Sequence, residues 1–178
     1  MRQALRIFTL CFFIITGQIV KMDCSNATEL ETVTQVDPQK YLGNWYRISA
    51  NPLPFEGICA CARQQLSLNP TGKIDVYNSC NDQSPQGPLR EIRGTATPDD
   101  SSYSKLTVDF GLPRLGNYWI IALGNNYEYA VVSDPSRYSL YIMSKTPTLS
   151  PVLYQEALAK AARQTDTSKL EINEQTGC

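Results

Sequence analysis

From Leu42 onward the chain alternates between short apolar–polar runs and turn chemistry. Leu66 and Leu68 flank Ser67, and Ile74 and Val76 flank Asp75. Leu106, Val108 and Phe110 share one side of a run whose other side carries Thr107 and Asp109. A period of two puts each apolar set on one face of a strand and leaves the other face wet. Runs of this kind predict eight strands, over 44–49, 61–68, 73–80, 89–97, 104–110, 117–123, 128–134 and 139–145. The separators have the residues that turns need. Asn69-Pro70-Thr71-Gly72 sets proline where φ is fixed and glycine where φ is free, and Asp99-Asp100-Ser101, Gly124-Asn125-Asn126 and Asp134-Pro135-Ser136 are turn clusters. Short strands joined tightly, with one apolar face, predict an antiparallel sandwich or barrel.

The period then changes. Ser150 is an N-cap, Pro151 suits the first helical position, and residues 151–163 are rich in helix formers. Val152, Leu153, Ala157, Leu158 and Ala161 fall on one stripe, which predicts a helix packed on the outside of the wall. Lys169 to Asn173 reads as a short last strand.

The beginning of the chain has a different character. Arg2 and Arg6 precede the apolar run IFTLCFFII, and small polar residues follow. That order is a secretory signal peptide, and the run falls short of the ~20 apolar residues that span a bilayer. Ser25-Asn26-Ala27 places the cut after Ala27, with a cut nearer Gly17 as the competitor. The expected organisation is therefore a signal peptide over 1–27 and one domain over 28–178. Lys21-Met22-Asp23 before Cys24 lacks the small, apolar residues that a lipid-anchor signal needs.

Of six cysteines, Cys11 and Cys24 leave with the signal, and four remain, an even number suited to an oxidising compartment. Cys59 and Cys61 have one residue between them, which is not zinc-ribbon spacing, so two disulfides are expected and no metal. The hairpin around Pro70-Thr71 brings Cys80 near both Cys59 and Cys61. The chain has no histidine, which removes the Ser–His–Asp triad and most catalytic zinc sites. A net charge of −1 without a basic run gives no electrostatic reason to bind nucleic acid.

Gly43-x-Trp45 in YLGNWYRI, then NYWIIAL, then EYAVVSDPSRYSLYIMSKTPTL before the helix, resemble in their order the motifs of the lipocalin family, from about Asp37 to Cys178. The resemblance implies an all-β fold: a closed eight-stranded antiparallel up-and-down barrel with the helix outside and a short last strand. It implies that Gly43 lets the chain cross closely beneath the barrel, that Trp45 plugs the base, and that Lys145 covers the indole where the family commonly has arginine. An ammonium lacks the planar stack of a guanidinium, so the latch is expected to be looser.

Residues alone leave a filled interior and a ligand pocket equally open; the resemblance favours the pocket. Its expected lining is Leu66, Asn78, Phe110, Trp119, Tyr141 and Met143. Leu53, Phe55 and Ile58 in the loop 50–58, with Leu112 and Leu115 in 111–116, are placed at the open mouth. There they form either a contact surface for a membrane, a lipoprotein particle or a partner chain, or a lid. The resemblance pairs Cys61 with Cys178 and so Cys59 with Cys80, a swap to Cys61–Cys80 being the alternative.

The function so implied is a secreted, extracellular carrier of one small hydrophobic ligand, such as a fatty acid, lysolipid, sterol or pigment, that uses no cofactor and is not an enzyme. The alternative is a protein- or membrane-interaction module working through its mouth loops. A thiol enzyme on the same barrel would need Cys59 or Cys61 free and inward. The oligomeric state is not legible.

Overall fold

The computed structural model describes residues 12–15, 18–21, 29–54 and 57–178. The expected signal cleavage after Ala27 lies outside the described residues, as does Phe55. Within 1–27, Phe12–Ile15 and Gln18–Lys21 pair as a separate antiparallel ribbon.

The domain is a single antiparallel sheet rolled shut. Its strands are β1 (Gly43–Ala50), β2 (Cys59–Leu68), β3 (Ile74–Asp82), β4 (Leu89–Pro98), β5 (Lys105–Asp109), β6 (Gly116–Leu123), β7 (Tyr129–Ser133) and β8 (Leu140–Ser144). Each pairs with the next, and β8 pairs back onto β1, so the up-and-down barrel has no free edge between first and last strand. Every expected strand is present within two residues of its predicted ends. The helix α2 (Pro151–Ala162) is capped as expected, with the Ser150 hydroxyl accepting from Leu153 N–H.

Two elements were not foreseen. A one-turn helix, α1 (Pro38–Tyr41), precedes β1 and is capped by Asp37. Before it, residues 29–36 run against the barrel: Val33 N–H donates to Ile120 O, and Val36 N–H to Ser102 O. Neither segment has a two- or 3.6-residue hydrophobic period, so neither announces itself in the pattern.

The last strand, β9 (Glu171–Ile172), has a structural task. β1 pairs with β2 only from Gly43 to Tyr46, and with β8 on its other edge from Tyr46 to Ala50. β9 takes up the edge that β2 has left, opposite Ser49 and Ala50. The following residues reach both splayed strands. Asn173 N–H donates to Ile48 O, Glu174 O accepts from Cys61 N–H, and the Gln175 amide donates to Arg47 O and Ala62 O. The C-terminal segment thus fills the seam between β1 and β2, and the Cys61–Cys178 bridge fastens it there. Cys59 joins Cys80 across β2 and β3, so the pairing is the one the resemblance implied.

Burial divides the apolar residues into two sets. One lies inside the barrel and includes Trp45, Leu66, Ile74, Val76, Ala96, Leu106, Val108, Ile120, Val132 and Met143. The other joins the outer wall to α2, with Tyr129, Val131, Leu140 and Ile142 against Ala157 and Ala161.

Candidate functional site

The barrel's lower end is shut by a small polar knot around an indole. Trp45 is fully buried, and its Nε1 donates to Tyr41 O at 2.7 Å. Tyr41 leans on it with ring centroids 4.9 Å apart. Lys145 Nζ sits 4.2 Å from the Trp45 centroid and donates to Tyr41 O at 3.0 Å and Leu42 O at 2.7 Å. One ammonium therefore ties β8 to the end of α1 while lying over the ring, the geometry of a cation–π contact. Burial pushes the Lys145 pKa down from 10.5 to about 8. Gly43 has φ +97°, a backbone region glycine occupies without strain, and the nearest atom to a Cβ there would be Lys145 Nζ at 4.0 Å. Its necessity is thus conformational, where the resemblance implied close crossing.

Above the plug, the inward positions of the strands fall into two levels. In the lower level Leu66, Ile74, Val76 and Ala96 are each no more than 3% exposed, so the barrel is packed solid there. Higher up, Asn78, Phe110, Tyr118 and Tyr141 are only partly buried, and Ile92, in register with Asn78, is 38% exposed. The inner wall is therefore sealed in its lower part and accessible to solvent toward the mouth. Phe110 lies against the bare backbone of Gly94, where an added Cβ would come within 2.5 Å of its ring.

The expected lining residues part company here. Asn78, Phe110, Tyr141 and Met143 stand on the inner wall, Asn78, Phe110 and Tyr141 partly open and Met143 at 6% exposure. Leu66 is also inward but belongs to the packed lower level. Trp119 is a correction: it packs with the outer cluster, with Lys105 Nζ 4.1 Å over its ring. In NYWIIAL, strand parity turns Tyr118 and Ile120 inward and Trp119 outward. Apolar residues on both faces hide that parity in the sequence.

Sequence reasoning also missed two polar residues of the wall. Gln64 is 8% exposed and pairs in register with Asn78 on one side and Trp45 on the other. Tyr118 O–H donates to Gln64 Oε1 at 3.0 Å, and the Tyr41 and Tyr118 hydroxyls meet at 2.7 Å. Burial raises both tyrosine pKa values above the ordinary range. The alternation Gln64, Leu66 was the available signal for the first of them.

At the mouth, Leu53 turns inward at 6% exposure, whereas Ile58, Leu112 and Leu115 stand out at 71%, 58% and 59%. The loops therefore divide, one leucine going into the core and three side chains remaining as a rim.

The model of the lipocalin-like domain matches residues 36–175. The outer membrane lipoprotein Blc of Citrobacter freundii is 34% identical over 154 residues, covering 84% of this chain and 86% of its own. Mouse apolipoprotein D is 32% identical over 155 residues, covering 80% and 78%. The solved insecticyanin of the tobacco hornworm Manduca sexta superposes with a TM-score of 0.63 at 22% identity, over 82% of this chain and 84% of that one. The chain belongs to the lipocalin family, whose members generally bind small hydrophobic ligands.

Proposed function

We propose that this protein is a secreted carrier that holds one small hydrophobic molecule, such as a fatty acid, lysolipid, sterol or pigment, in the upper cup. The observation that carries the reading is the change in exposure along the inner wall, sealed at Leu66 and Val76 and open at Asn78, Ile92, Phe110 and Tyr141. Its mechanism is burial. Each Å2 of apolar surface moved from water into the cup is worth about 25 cal/mol. A wall of paired strands pre-forms the site, so little ordering cost is incurred on binding. Two disulfides fit an oxidising compartment, and no described helix is long and apolar enough to cross a membrane. All four described cysteines are bridged, which leaves a thiol enzyme no nucleophile among the described residues.

The test is direct. Delipidated protein should take up a fluorescent fatty acid and rise in melting temperature with at least one fatty acid, retinoid or steroid. No binding by any of the three classes sinks the proposal.

The mouth rim favours a second reading, contact with a lipid surface. Ile58, Leu112 and Leu115 are exposed at one end, with Arg114 between the two leucines. Leu112→Ser with Leu115→Ser should abolish flotation with vesicles and leave ligand uptake intact if that surface works separately from the cup.

A further inference from the structure

The cup has an unusual polarity. Its floor is polar and its rim is apolar. Gln64 and Asn78 face inward as an in-register pair midway along β2 and β3, on the rung that includes the Trp45 plug. Gln64 Oε1 is committed to the Tyr118 hydroxyl, so its NH2 is the group left to offer. Asn78 Oδ1 is buried and has no hydrogen-bond partner among the described residues. A donor and an orphaned acceptor therefore stand side by side at the level where the packed lower barrel ends. Buried polar atoms are normally satisfied, and an unsatisfied one in a site needs a reason. Ile92 stands beside Asn78 on the same rung, Phe110 and Tyr141 are the other partly open apolar positions of the inner wall, Arg47 faces inward opposite Met143, and the rim carries Ile58, Leu112 and Leu115. At the rim the cation between the two leucines, Arg114, is exposed, so a carboxylate paired with it there gains little, whereas an alkyl tail pressed onto the amide floor would leave Asn78 unsatisfied.

We infer that the ligand enters polar end first: a head group able to both donate and accept a hydrogen bond, a hydroxyl or a carboxyl, seats on Gln64 and Asn78, and its apolar tail runs up past Ile92, Phe110 and Tyr141 to the rim. This deepens the carrier reading and rests on it. Tyr118 and Tyr41 act as positioning residues. Their hydroxyl chain fixes which end of the Gln64 amide faces the ligand, and it anchors that amide to α1 at the barrel base. The tail is then the part of the ligand nearest solvent.

The two orientations are separable by paramagnetic broadening in the whole secreted protein. 5-Doxylstearic acid carries its spin near the head, 16-doxylstearic acid near the tail tip. Entry head first broadens the backbone amides of Gln64 and Asn78 with the 5-doxyl probe, and those of Leu112 and Leu115 with the 16-doxyl probe. The reverse pattern overturns the inference and leaves the carrier reading standing. If both probes leave the inner-wall amides sharp, the inference fails; if a retinoid and a steroid leave those amides unshifted as well, the carrier reading fails with it. Asn78→Leu should weaken binding of 5-doxylstearic acid about tenfold while the amide spectrum elsewhere in the barrel is retained. Unchanged affinity in the folded variant counts against the seat.

Discussion

Lys145 concentrates the closure of the lower barrel on a single nitrogen. It serves two carbonyls and the indole at once, so Lys145→Met removes charge-assisted hydrogen bonds and strands the Leu42 carbonyl at a half-buried site. The expected cost is about 2 kcal/mol, read from urea unfolding at pH 7. The pH dependence has a definite sign. Below pH 8 the folded and unfolded chains both hold the Lys145 proton; between about 8 and 10.5 only the unfolded chain does. The unfolded state then binds more protons, so this residue adds stability as pH rises through that window. The gap between wild type and Lys145→Met should therefore widen from pH 8 to pH 10, a comparison in which the shared tyrosines cancel. At this scale the sequence was only partly legible. The plug and its cover could be named because the motif order carries them. Trp119 could not be oriented, because Tyr118, Trp119, Ile120 and Ile121 are apolar or aromatic on both faces of one strand and the alternation that would orient them is absent. Gln64 was passed over because a glutamine within a strand reads as a solvent residue until its neighbours' parity is applied.

Strands and helix were legible because each carries its own period and its own punctuation. The short α1 and the arm over 29–36 were not, since a single turn and an irregular segment get their order from what they touch. Two predictions belong to elements. Ser150→Ala removes the hydroxyl that accepts from Leu153 N–H and should cost about 1 kcal/mol. Its main signature is lost hydrogen-exchange protection in the first turn of α2. The second concerns β9. With Cys61→Ser and Cys178→Ser the tail loses its fastening, and about 2–4 kcal/mol of stability should go with it. The Asn173 amide, which donates to Ile48 O, should then exchange early, while the β1–β8 ladder stays protected. Uniform deprotection of both would mean that the tail is integral to the whole barrel and not a separable seam filler.

For the whole molecule, a barrel sealed below and accessible to solvent above, filled by a ligand in the proposed carrier, separates the work of staying folded from the work of binding. Lower-level changes such as Val76→Ala should lower stability by about 1–3 kcal/mol with little change in ligand affinity, whereas Phe110→Ala, at a partly open position, should weaken ligand binding as well as cost stability. Paired denaturation and ligand-titration curves check both. The division itself was not readable from the alternation, which marks a face as apolar without saying whether anything fills the space before it. The seam between β1 and β2 carries a consequence for biosynthesis. Its filler comes from residues 171–175, and its fastening joins cysteines 117 positions apart in the chain. A nascent polypeptide with all eight staves already made still has a gap between β1 and β2 beyond Tyr46. Contacts so distant along the chain form slowly, and the interval before they form is when chaperones or aggregation compete for the product.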